Sequence, residues 1–169
     1  IVTSTKRDIL QVTAHWRARH GAVYIFDPFS PGSCGWNPLH GCEHWETCLQ
    51  QSSWLTDATQ EGNSEIASYW RGEAAKLLAP LLGAAALGEL EIDAVLGWLD
   101  QNNAKEPLEI LDNANAGAAY HQLEAVTRLD DRNRGTTYMS AGSVLAAYRY
   151  PRVQQTASPG DLTAEGFFD

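Results

Sequence analysis

Apolar residues recur at two different spacings along this chain, and the spacing predicts the elements. Ile9, Val12, Thr13 and Trp16 stand three or four apart, the stripe of an amphipathic helix. Thr5-Lys6-Arg7-Asp8 just before them fits a capping box, a hydroxyl at the N-cap and a carboxylate three residues on, and Gly21 can supply the left-handed residue that ends a helix. The predicted helix covers about residues 6 to 20. Ile1 to Thr3 and the apolar, partly β-branched run Ala22 to Phe26, closed by Asp27-Pro28, read as short buried strands. Strand, helix, strand is the predicted opening, a unit that is normally a right-handed parallel crossover.

A loop from Pro28 to Asn37, with Pro28, Pro31, Gly32 and Gly35, breaks this pattern, and everything after it reads helical. Ile66, Trp70, Ala74, Leu77, Leu81 and Ala85 line one face of a long core helix that Asn63 or Ser64 can cap. Pro80, inside it, removes a backbone donor and predicts a kink or a break. Shorter helices follow at Glu91 to Asp100, Pro107 to Leu111, Ala118 to Leu129 and about Arg132 to Tyr148. Pro151 and Ser158-Pro159-Gly160 end the helical region and leave Leu162 to Asp169 as an exit segment. Trp45, Trp54, Trp70 and Trp98 fall in or beside these patterns and are expected in the core, whereas local patterning explains Trp36 least.

Composition adds class limits. Hydrophobic types make up 44 % and charged types 20 % of the 169 residues, which excludes collagen-like, disordered and disulfide-scaffold proteins. A chain this long buries roughly 70 % of its unfolded surface and needs no metal or disulfide to hold a core. The strongly apolar uncharged stretch Leu77 to Gly88 is shorter than the roughly 17 to 25 residues of a spanning helix. The net charge of −9 is uneven: residues 45–126 hold three basic and thirteen acidic groups, while residues 127–169 hold five of each. Nucleic-acid affinity comes from Lys and Arg neutralising phosphates, so the middle block repels DNA and only the flanks can touch it.

Candidate chemistry is sparse. Cys34, His40, Cys42, His44 and Cys48 place five possible metal ligands close together, but there is no Cys-x-x-Cys, and Glu43 stands in the wrong place for His-Glu-x-x-His. They read as weak metal candidates, and as reduced cysteines and loop histidines of a cytosolic protein. Val23 to Asp27 has the look of the apolar strand whose Asp positions magnesium in nucleotide hydrolases, yet neither Lys6, Lys76 nor Lys105 follows a Gly, so no phosphate loop accompanies it. No catalytic or cofactor-binding residue is assigned. Arg128, Arg132 and Arg134, interleaved with Asp130 and Asp131, are either a mutually paired charge run or a contact for a partner chain or a DNA phosphate, since Arg forks suit both.

The order of segments carries more than any single motif. Thr3-Ser4-Thr5-Lys6-Arg7-Asp8-Ile9-Leu10, then Val23-Tyr24-Ile25-Phe26-Asp27-Pro28, then Gly35-Trp36-Asn37-Pro38-Leu39 resembles the stretch after the phosphate loop in type IV coupling proteins, the hexameric DNA-translocating ATPases of bacterial conjugation and type IV secretion. Tyr69-Trp70-x-x-Glu73-Ala74-Ala75-Lys76-Leu77-Leu78 and Arg134-Gly135-Thr136 to Val144-Leu145 are similar to the all-helical insertion that follows, in an actinobacterial version. Ser4 departs from the Asp of many relatives, and the Cys/His cluster is not a family hallmark.

The resemblance implies a mainly α fold: a multi-helix all-α domain at 41–160, a strand-helix-strand remnant of an α/β ATPase motor domain at 1–40, and an exit segment at 161–169. It accounts for the abrupt start at Ile1-Val2-Thr3 as that of an excised piece, with the phosphate loop upstream and the Asp-Glu strand downstream. The implied role is substrate recognition, bringing relaxase-DNA or other protein cargo to the motor, with weak single-stranded DNA contact. Neighbouring subunits of a homohexamer are further implied partners, and this piece makes no direct membrane contact. ATP and Mg belong to the parent protein, which sits at the cytoplasmic side of the inner membrane, anchored through a segment not present here; the piece itself holds no cofactor and is no enzyme. A free-standing helical protein-interaction module and a Cys/His metal-binding protein are the competing classes.

Overall fold

The computed structural model describes residues 3–4, 6, 8–30, 32–59, 64–157, 160 and 162–163. Its helices are α1 (Asp8–Arg17), α2 (Trp45–Ala58), α3 (Glu65–Leu87), α4 (Ile92–Asp100), α5 (Lys105–Asn113), α6 (Gly117–Thr127) and α7 (Asp131–Val144), then a 3-10 turn (Ala146–Arg149) and α8 (Pro151–Gln155). The region predicted as one helix to Tyr148 is therefore α7 followed by a tighter turn.

The core is built around α3. Leu77, Leu78, Ala79, Leu81, Leu82, Ala84 and Ala85 are fully buried, and α2, α4, α5, α6 and α7 all pack against this one helix. Ser64 caps it, its hydroxyl accepting from the Ala67 amide at 3.2 Å. Pro80 lies buried within it and does not break it. Proline offers no N–H to the carbonyl four residues back, which is that of Lys76; Gln122 Nε2, from α6, donates to that carbonyl at 2.8 Å. A neighbouring side chain thus supplies the donor that the helix lacks.

Burial on α3 begins only at Ala74, and Ile66 and Tyr69 are exposed. The 3.6-residue stripe identifies a face but not how far neighbouring helices extend along it. Trp54, expected in the core, is likewise exposed on α2, while Trp98 is buried and its Nε1 donates to Glu106 Oε2 at 2.7 Å. Trp36, Trp45 and Trp70 are half-buried.

The predicted flanking strands are corrected. Among the described residues there is no strand: Ala22 to Phe26 carries no regular secondary structure, and the Ile25 carbonyl accepts from the Cys34 amide at 2.7 Å, a local loop closure. A strand is a ladder of paired N–H and C=O groups, and no such ladder is assigned there among the described residues. Val23, Tyr24 and Phe26 are exposed rather than buried, as are Ile9, Val12 and Trp16 of α1. Ile1, Val2, Thr5 and Arg7, on which the first strand and the capping box depended, lie outside the described residues, as do Ala164 to Asp169 of the exit segment.

The chain enters and leaves the helical body at one place. The Trp36 amide donates to the Thr156 carbonyl at 2.8 Å, and the Leu162 amide to the Gly35 carbonyl at 2.9 Å. Gly160 permits this approach, because a Cβ there would stand 3.0 Å from the Asn37 amide nitrogen.

A bidentate ion pair joins the end of α4 to the 3-10 turn, Arg149 Nη1 and Nη2 donating to Asp100 Oδ2 and Oδ1 at 2.9 and 2.5 Å. Hydrogen bonding by Arg149 holds the Asp100 carboxyl below its ordinary range. A pKa depressed in the folded state means that the stabilisation is full above the unfolded carboxylate pKa and is lost as pH falls through the folded value. Both side chains are about half exposed, so the contribution stays below about 1 kcal/mol. Asp100→Asn is expected to remove this acid-sensitive part, seen as a smaller difference in urea midpoint between neutral and acid pH than in the parent chain.

Candidate functional site

The arginine run sits at the α6–α7 junction. Asp130 caps α7, accepting from the Asn133 amide at 3.1 Å and from Asn133 Nδ2 at 2.6 Å, and these bonds keep its carboxyl below the usual range. Arg128 reaches back one turn to Glu124 at 2.8 Å, and Arg134 pairs with Asp131 at 2.7 Å. Arg134 Nη1 also donates to the Thr127 carbonyl at 3.5 Å. Arg132 is exposed and has no ion pair among the described residues. Two of the three predicted contact residues are thus engaged in helix-surface pairs worth below about 1 kcal/mol each, and Arg132 presents its fork to solvent. An incoming phosphate or carboxylate meets one unengaged cation and two weakly held ones.

The Cys/His cluster divides. His40 and His44 are exposed, His44 standing at the N-cap of α2 without a side-chain capping bond. Cys34 is half-buried in the loop that closes onto Ile25. Cys42 and Cys48 are both buried to 1 % exposure, with Cys48 Sγ donating to the Cys42 carbonyl at 3.0 Å. Among the described residues no three His, Cys, Asp or Glu side chains are grouped to hold a metal ion. Proximity in sequence does not become proximity of side chains here, because the turn into α2 sends the sulfurs inward and the imidazoles outward.

The two thiols perturb each other. The hydrogen bond with Cys48, and then burial, push the Cys42 thiol up, while the same hydrogen bond brings the Cys48 thiol down. Beside them opens a pocket of about 190 Å³ lined by both cysteines, Trp45, Gly83, Leu87 and the start of α6. Sequence spacing offered no sign of this pocket, since its walls come from the turn before α2, the last turns of α3 and the first turn of α6. Asp27, the residue at the end of the magnesium-like run, accepts from Ser30 Oγ and from the Phe29 amide in its own turn.

Helical packing around α3, an excess of acidic residues and a small cluster of arginines describe a charged helical module. The particular family follows from comparison. A family model described as type IV secretory system conjugative DNA transfer matches residues 1–165, and the chain belongs to that family. No curated protein and no solved structure matches it. No helix among the described residues is long and apolar enough to cross a membrane.

Proposed function

We propose that the helical body is the substrate-recognition domain of a conjugative coupling protein, receiving relaxase-DNA or another protein cargo for a DNA-translocating ATPase. The observation that supports this most is the shared entry and exit of the helical body at Gly35–Trp36 and Thr156–Leu162. A body whose two connections meet is arranged as an insertion into another domain. The preceding segment has the opposite character: α1 buries no residue, and its Ile9, Val12 and Trp16 stand exposed, as for a piece that packs on a motor domain. In this reading ATP and magnesium serve the parent hexamer on the cytoplasmic side of the inner membrane.

The acidic block between Trp45 and Val126 suits protein cargo before nucleic acid, and Arg132 with its neighbours is the DNA or adjacent-subunit contact. Single-stranded DNA, followed by fluorescence anisotropy, binds weakly and with a steep fall in affinity as salt rises; Arg132→Ala with Arg134→Ala weakens it further and flattens the salt slope by about one to two. An unchanged slope removes the arginines from the contact. A nucleotide titration of the isolated chain gives no saturable ATP binding, and micromolar affinity would remove the division of labour proposed here. The cargo role itself is tested by mixing the purified chain with the purified relaxase of the same transfer system: a complex stable on gel filtration supports it, and its absence at tens of micromolar counts against it.

A further inference from the structure

We infer that Cys42 and Cys48 form an oxidation site, a dithiol that hydrogen peroxide entering the adjoining pocket converts to a disulfide. This does not depend on the functional reading above. The sulfurs lie on either side of the turn into α2, with Cys48 Sγ against the Cys42 carbonyl at 3.0 Å and the His44 carbonyl at 3.4 Å. Gly83 of α3 leaves them this space, because a Cβ there would stand 3.0 Å from Cys48 Sγ. Both residues line the pocket of about 190 Å³, whereas a water-sized molecule takes only about 30 Å³, so the space beside them admits a small peroxide.

Roles divide by environment. Cys48 closes the first turn of α2, and the pocket wall opposite is the start of α6, whose N-cap Ala116 offers no side-chain cap. Helix N-termini favour a thiolate, against the opposing charge of Glu43 in the same pocket. Cys48, once its proton leaves the Cys42 and His44 carbonyls, is the attacking sulfur and Cys42 the resolving one. Cys48 thiolate displaces hydroxide from hydrogen peroxide and becomes a sulfenic acid. Cys42 sulfur then attacks Cys48 Sγ, its proton leaving with the departing hydroxide as water. Two thiols and one peroxide thus give one disulfide and two waters. The bond staples the turn that precedes α2 to the first turn of that helix.

The test uses Cys34→Ser, which leaves two thiols, treated with stoichiometric hydrogen peroxide while circular dichroism reports the fold. Cleavage after Glu43 and Glu46 separates the two cysteines onto different peptides, which only a disulfide holds together. The expected result is loss of both alkylatable thiols, a linked peptide pair and full return of the thiols with a reductant. In Cys34→Ser with Cys42→Ser, a dimedone adduct accumulates on Cys48 instead; in Cys34→Ser with Cys48→Ser, no adduct forms on Cys42. Met139, 75 % exposed, reports peroxide delivery through its sulfoxide. Met139 oxidised with both thiols still free in a folded chain overturns the proposal, and so does Cys48 advancing to sulfinic acid while Cys42 stays reduced.

Discussion

Leu81→Ala is expected to lower the unfolding free energy by about 2 to 5 kcal/mol, because truncating a buried leucine loses transfer energy and leaves a cavity that packed neighbours only partly fill. Leu81 is fully buried on the helix against which five others pack, so collapse around the gap would require several helices to move together. For a domain this size the loss lowers Tm by roughly 2 to 4 °C per kcal/mol. Urea unfolding of the purified chain measures it through the midpoint at constant m. Ile66→Ala in the same helix, at a side chain 71 % exposed, should stay within about 0.5 kcal/mol. Equal losses at the two positions would mean that the exposed start of α3 is buried in solution.

Gly83→Val is the second large effect, and its sign is opposite to helix propensity. Gly in a helix interior is unfavourable by about 1 kcal/mol relative to Ala, so a substitution at an open position would stabilise. At Gly83 the added carbon would enter at 3.0 Å from Cys48 Sγ and 3.6 Å from the Cys42 carbonyl oxygen. Overpacking of this kind costs typically about 1 to 3 kcal/mol. Cys48→Ala vacates the space, so the double variant should be more stable than the two single losses add up to, with a coupling of at least about 0.5 kcal/mol. Simple additivity in that cycle would place the strain elsewhere than at the sulfur.

The helical body was legible because its signals are local. Ser64 before a long apolar stripe and the Ile92, Val95, Leu96 and Leu99 spacing each report on a few neighbouring residues, and α3 and α4 follow, whereas Pro151, read as ending the helical region, opens α8 instead. The errors concern what lies across space. Ala22 to Phe26 has strand composition, but a strand is a paired object and no ladder is assigned there among the described residues. Trp54 sits in a helical pattern, yet burial depends on which side α3 occupies. Pro80 predicts a break when read alone; Gln122, on a different helix, decides otherwise by supplying the missing donor.

The candidate site was legible in kind but not in arrangement. Arg128, Arg132 and Arg134 could be picked out as a charge run, while which of them stays unengaged depends on Glu124 and Asp131 at helical offsets and on where α6 gives way to α7. The five Cys and His residues looked like one cluster and are not, since a single turn sorts them by side. Family membership rested on the order of segments along nearly the whole chain, which survives even where the local strand prediction does not.

The crossing of Gly35–Trp36 with Thr156 and Leu162 also has a mechanical meaning. Tension applied between the two connections of the helical body is carried across two backbone hydrogen bonds a few residues apart, and not along the axis of any helix. The helices are bypassed by the load path. A body attached in this way can lean and turn about one pivot under force while its packing, and the surface it presents, stay as they are.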